Sequence, residues 1–322
     1  MNRVKQRVLV FEEKQRARLQ VRELPEIREG EALVRSVCSL VSPGTEIALY
    51  EKTHIGFADP EISWCAYPLD IGYATAGSVE ASCIEGLEPG STVVHYGPHA
   101  DRTVISKDTP LWEPVPEGVS PSVSCFGRFA QIAYSSVAAA VRPPRRVEVY
   151  GAGIVGNLAA QWFKDLGAET SVVDLSPRRL EIAAACGLPR ARKADEPYDQ
   201  EAELIDTVVE ATGVASVVNE ALECVAADGQ VILLGSIRRP ITVNAYKLIH
   251  RKAVLLSGAH ESILGSRRGE VLRRSLAALK QGRLRVDPII TRRIRPDELP
   301  NVYEDIASAP DEYFGVLIEW EG

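Results

Sequence analysis

The sequence predicts an α/β protein with two domains, one β-rich and one built on a doubly wound parallel sheet. Three observations carry this expectation. The chain has 322 residues, and domains run to roughly 100–200 residues each. Up to about residue 115, short apolar runs are separated by turn signals. From Val147 onward, apolar runs alternate with amphipathic stretches until Gly258; strands alternating with helices imply βαβ crossovers and a parallel sheet.

In order, Arg7–Phe11, Ala32–Val37, Gly77–Ala81 and Thr92–Tyr96 read as strands, with Glu88-Pro89-Gly90 as a turn between two of them. Pro114, Pro116 and Pro121 mark a change of texture. The runs 147–151, 170–174, 206–213, 230–236 and 253–258 read as strands of the second block. Helices are expected over Ile154–Leu166, ended by Gly167, and Arg178–Cys186, ended by Gly187. Proline at a first helical turn and glycine past the last are the expected signals. Beyond Gly258 come a helix over Glu270–Gln281, a strand over Asp287–Thr291, a helix over Pro296–Ile306 and a final strand over Gly315–Trp320. Such a tail is best placed back on the first domain.

Composition excludes several classes. Lys+Arg number 37 against 44 Asp+Glu, a net charge of −7. No clustered basic face suggests nucleic acid. No run reaches the ~20 apolar residues of a membrane span, and the first residues lack a signal-peptide core. The six cysteines are scattered without a CxxC pair, which reads as free thiols in a cytoplasmic protein.

Gly151-Ala152-Gly153-Ile154-Val155-Gly156 follows a predicted strand and opens a predicted helix. Glycine there permits the tight turn, the close approach of a pyrophosphate and close helix–strand packing. The helix N-terminus offers unpaired N–H groups to the diphosphate. Asp174 ends the next strand, 23 residues after Gly151, the spacing of an acid that binds the adenosine ribose in a Rossmann fold. An acid there repels a 2′-phosphate, so NAD is expected rather than NADP; Arg179 would neutralise such a phosphate and weakens that preference. Thr212-Gly213, Gly235-Ser236-Ile237 and Gly258 with His260 end later strands, where ligands of open α/β sheets bind. A plain strand-end turn is the alternative for each.

With these motifs in place, the sequence resembles the medium-chain dehydrogenase/reductase family of zinc alcohol and polyol dehydrogenases. The likeness runs through VRSVCSLVSPGTEIALY (34–50), YPLDIGYATAGSV (67–79), GPHA (97–100), the glycine motif, Asp174, Thr212-Gly213, Gly235 and the ending from Gly315 to Gly322. It implies a GroES-like catalytic domain over 1–120 and 263–322 around a Rossmann domain over 121–262. It also implies small-molecule substrates and a homodimer joined at the edge of the coenzyme sheet. The family's metal-bearing positions are changed. Pro43 stands at the position of the zinc-binding Cys, Tyr73-Ala74 replaces a His-Glu pair, and Gly127 falls near the third ligand. None of these is a usual zinc ligand, and the four-cysteine structural lobe is missing, so no zinc is expected. SPGTE with GY is most similar to a zinc-less branch that includes hydroxyethyl bacteriochlorophyllide dehydrogenase and relatives acting on cyclitols, sugars and secondary metabolites.

The resemblance places Thr45 at the family's proton-relay position and puts Glu46 in place of its Asp. Without a metal, a hydrogen-bond donor must hold the substrate oxygen; Tyr73 is the expected donor and Thr45 the second. Filling the vacated volume is the alternative for Tyr73, and a turn hydroxyl is the alternative for Thr45. His95 and His99 are candidate bases, each with packing as its alternative. Lys52, His54, Phe57, Trp64 and Arg128 are candidate substrate contacts, with core or lid packing as the equal alternative for Phe57 and Trp64 and a surface or packing role as the alternative for His54. The implied activity is NAD(H)-dependent interconversion of a secondary alcohol and a ketone. A zinc-less enone or quinone reductase and a non-catalytic dinucleotide-binding protein are the alternatives.

Overall fold

The computed structural model describes residues 4–108, 111–195 and 204–320. It divides into two compact units. The first comprises Met1–Arg128, Arg268–Lys280 and Ile290–Gly322; the second comprises Phe129–Arg267 and Gln281–Ile289.

The first unit is β-rich. Strands Arg16–Glu23, Lys5–Glu13 and Leu69–Asp70 form one antiparallel sheet. A seven-stranded sheet runs in the order Arg292–Ile294, Val316–Glu319, Glu31–Leu40, Thr75–Ser82, Thr92–His95 and Trp112–Pro114, with Arg102–Ser106 also paired to Glu31–Leu40. Its core gathers Leu9, Phe11, Tyr50, Leu299, Tyr303 and Ile318, each at most 7% exposed. The late strand Val316–Glu319 therefore lies between its neighbour Arg292–Ile294 and the early strand Glu31–Leu40.

The second unit is a six-stranded parallel sheet. Its order is Ala191–Lys193, Glu169–Asp174, Arg146–Tyr150, Thr207–Glu210, Gln230–Leu233 and Leu255–Gly258. In chain order this is 3-2-1-4-5-6, the dinucleotide-binding arrangement. Val147, Val149, Val172, Val208, Val209, Val231 and Ile232 are fully buried, as expected of strands covered on both faces. Helix Pro177–Ala185 begins where Ser176 accepts a hydrogen bond from the Arg179 amide at 3.3 Å. It stops before Gly187, whose φ of +89° suits glycine.

The expected strand over Asp287–Thr291 is corrected. Asp287–Ile289 is a 3-10 turn, and the strand is Arg292–Ile294. Pro288 has no N–H to give a ladder, so pairing starts beyond it. Arg16–Glu23 and Ala191–Lys193 are strands without an apolar run. The first lies mostly exposed on a sheet face, and the second is three residues long. Among the described residues, no helix is long and apolar enough to cross a membrane. The closing residues Glu321 and Gly322 of the resemblance lie outside the described residues.

Candidate functional site

In the β-rich unit the site is built on helix Pro43–Tyr50. Proline opens it at the first turn, where a missing N–H costs nothing. The side chain of Glu46, 1% exposed, turns back to accept the Ser42 amide at 3.0 Å. It also accepts the Tyr303 hydroxyl at 2.7 Å and meets His99 Nε2 at 3.2 Å. The other ring nitrogen of His99 meets Ser39 Oγ at 2.8 Å, and Ser39 Oγ accepts Trp320 Nε1 at 2.9 Å. This buried network fixes the helix that carries Thr45.

Tyr73 arrives from the facing loop. Gly72 precedes it at φ +108°, and a Cβ there would lie 2.6 Å from the His99 amide nitrogen; only glycine lets the two loops approach this closely. The Tyr73 hydroxyl shares a short hydrogen bond with Ser42 Oγ and a second with the Thr45 side chain. Burial pushes the phenol above its ordinary value of 10, with the Glu46 carboxylate acting the same way; Ser42, Arg128 and Thr45 oppose the shift. Tyr73 is therefore a neutral phenol near neutral pH, able to donate. Arg128, 4% exposed, lays its guanidinium 3.7 Å from the Tyr96 ring centroid and 5.3 Å from that of Tyr73.

The remaining predicted residues take other places. His95 is 2% exposed, its Nδ1 accepts the Gly97 amide at 2.9 Å, and burial lowers its pKa to about 4. His54 caps the turn Ile55–Phe57 through its Nδ1 and lies 5.4 Å from the Trp64 ring. Trp64 is 57% exposed. Lys52 sits over Phe57 at 5.8 Å, and Phe57 packs on Tyr67 at 4.8 Å. The structure thus gathers Tyr73, Thr45, Ser42 and Arg128, and pairs His99 with Glu46. Ser42, Tyr96 and Tyr303 were not legible as site residues.

At the changed ligand positions, Pro43 starts a helix, Ala74 is fully buried, and a Cβ on Gly127 would press on Leu276 at 2.9 Å. Among the described residues, no three His, Cys, Asp or Glu side chains are grouped to hold a metal.

In the second unit, a Cβ on Gly156 would lie 1.9 Å from the Gly151 carbonyl oxygen, and Gly151 itself has φ +97°. Around Gly153 there is open space, as a pyrophosphate cradle requires. Ile154 and Val155 form the first turn of helix Ile154–Asp165, which has no side-chain cap, so its N–H groups remain for an anion. The Asp174 carboxylate accepts the Ala152 amide at 2.7 Å and the Ser176 amide at 2.8 Å. It is thereby held at the glycine turn, and Arg179 lies half-buried one helical turn on.

Glu210, fully buried at the end of its strand, accepts the Thr212 and Gly213 amides at 2.7 and 2.9 Å. Burial raises its pKa against these bonds. A Cβ on Gly235 would lie 2.3 Å from the Gly213 amide nitrogen, and one on Gly213 would lie 2.8 Å from the Ser236 carbonyl oxygen. The two strand-end turns therefore pack on each other. Ile237 joins the apolar cluster beneath. Gly258 has open space around it, and exposed His260 bonds Ser262 at 2.8 Å. These residues fit a dinucleotide: a cradle closed to side chains, free helical amides and a fixed carboxylate.

Residues 155–278 match the family model of zinc-binding dehydrogenases. Along 99% of both chains, the fold superimposes on L-idonate 5-dehydrogenase from Escherichia coli with a TM-score of 0.85 at 17% identity. Over residues 155–278 the chain is similar to the zinc-binding dehydrogenases. Among curated proteins, the L-galactonate-5-dehydrogenase of Escherichia coli is 26% identical over 210 residues, 62% of this chain and 60% of that one. Glucose 1-dehydrogenase of Methanocella arvoryzae is 35% identical over 124 residues, 34% of each chain. The matched stretches thus span from about a third to three-fifths of these relatives' length. The family-model match lies mainly in the second unit, and the changed ligand positions lie in the β-rich unit.

Proposed function

We propose that the protein is a zinc-independent oxidoreductase that interconverts a secondary alcohol and a ketone with NAD(H), on a sugar-like, cyclitol or natural-product substrate. The carrying observation is the hydroxyl cluster of Tyr73, Ser42 and Thr45, formed where the family's pattern calls for metal ligands. Bound nicotinamide supplies or takes the hydride. The Tyr73 phenol donates a hydrogen bond to the substrate oxygen, where negative charge grows during reduction, and Thr45 donates beside it. A donor already fixed in place loses nothing to reorientation as that charge develops. In the coenzyme unit, the Gly151–Gly156 turn and the following helical amides hold the diphosphate, and Asp174 takes the ribose hydroxyls. The Asp174 carboxylate favours NAD over NADP by repelling a 2′-phosphate.

Relatives named for sugars and sugar acids support the substrate class. The same reading makes the protein a cytoplasmic homodimer joined at the sheet edge formed by Leu255–Gly258. The test is a screen of polyols, sugar acids and cyclitols followed by NADH absorbance, with and without a zinc chelator. Turnover that survives chelation is expected; turnover abolished by the chelator and restored by zinc would overturn zinc independence.

A further inference from the structure

The least expected charge in the β-rich unit is Arg128. It lies near the start of helix Phe126–Ala139. It is also 4% exposed, and burying a charge is costly unless other groups compensate. The Tyr96 ring, 3.7 Å from the guanidinium carbon, provides part of that compensation. The same guanidinium carbon lies 5.3 Å from the centre of the Tyr73 ring. Packing alone gives no reason to place an arginine here. An apolar side chain of similar length would fill the space without a charge to bury.

We propose that Arg128 is a positioning residue for Tyr73. Clamped on Tyr96, it supplies the fixed positive charge that steadies the phenol and offsets negative charge developing on the oxygen the phenol holds. The proposal rests on the reading of Tyr73 as the donor to substrate. It assigns to a guanidinium acting through a phenol the electrostatic part that a metal plays in zinc-dependent members. The groups that act on the phenol are Ser42 and Thr45 by hydrogen bonds, Glu46 by its negative charge and Arg128 by its positive charge. Glu46 and Arg128 pull in opposite directions, so removing either one has a defined sign.

The titration itself needs no substrate. The ten tyrosines are replaced biosynthetically by 3-fluorotyrosine, whose more acidic phenol titrates at milder pH, and followed by fluorine NMR. The Tyr73 resonance is assigned by its absence in Tyr73→Phe. Arg128→Met is expected to move the Tyr73 midpoint upward by about one pH unit or more, with the resonances of tyrosines outside this cluster unmoved. Arg128→Lys is expected to fall between wild type and Arg128→Met. It also carries the test should Arg128→Met fail to fold. An unmoved midpoint in the folded variants overturns the proposal. The turnover of Tyr73→Phe separates the two readings. A moved midpoint beside undiminished turnover sinks the donor role of Tyr73 and the positioning role with it. An unmoved midpoint beside lost turnover sinks only Arg128.

Discussion

The carboxylate of Glu46 and the imidazole of His99 meet at 3.2 Å, and neither side chain reaches solvent. Their contact joins the helix carrying Thr45 to the loop beneath Gly72. His99→Ala removes one of three donors to a buried carboxylate and leaves Ser39 short of a partner. It is expected to cost about 3 kcal/mol of stability, against about 1 kcal/mol for Tyr303→Phe, which removes a single hydrogen bond. Urea unfolding midpoints measure both; equal losses would show that His99 is not the stronger tie.

Tyr73→Phe is expected to lower turnover by about 10²-fold while NADH binding, followed by fluorescence, stays at the wild-type level. Ser42→Ala removes a hydroxyl that orients the phenol, and a smaller loss is expected of it. Unchanged turnover in Tyr73→Phe assigns the ring to packing.

His95 makes stability depend on pH. Its pKa falls from 6.5 to about 4 in the folded protein because of burial. Between these values the unfolded chain binds the extra proton, so stability is full above about pH 6.5 and declines toward pH 4, by about 3 kcal/mol in all. His95→Gln should shrink the difference between unfolding midpoints at about pH 7 and about pH 4.5, with the window set by the two pKa values. An identical difference in the variant would remove His95 as its source.

In the coenzyme unit, Gly156→Ala forces a methyl against the Gly151 carbonyl oxygen. An expected loss of about 1–3 kcal/mol in stability should come with weaker NADH binding. Asp174→Ser is expected to weaken NAD binding about tenfold, as loss of a charged acceptor does, and to strengthen NADP binding. Isothermal titration with both nucleotides decides it; parallel losses for the two would mean that Asp174 supports only the turn.

Much of the coenzyme unit was legible because its signals are local. The glycine turn, Asp174, Thr212-Gly213 and Gly235 each announce themselves within a few residues of a strand end. The β-rich site was legible only in part. Tyr73 and Thr45 stand at recognisable positions, but what holds them is distant in the chain: His99 reaches Glu46 across 53 residues and Tyr303 across 257. Ser42 carries no signal of its own in the sequence; only folding brings its hydroxyl to the phenol. His95 lies where a base was expected, yet burial and the Gly97 amide hold it neutral. The strand over Asp287–Thr291 was misplaced because its β-branched residues outweighed Pro288.

The pairing of Trp320 with Ser39, 281 residues apart, bears on the order of folding. The βαβ repeats of the coenzyme unit close over short spans of chain. The seven-stranded sheet waits for Val316–Glu319 to arrive beside Glu31–Leu40. Long loop closure is slow and comes late, so refolding from urea should regain the parallel sheet and dinucleotide binding before the hydroxyl cluster around Tyr73 forms. Cofactor binding that returns ahead of turnover is the result expected of that refolding experiment.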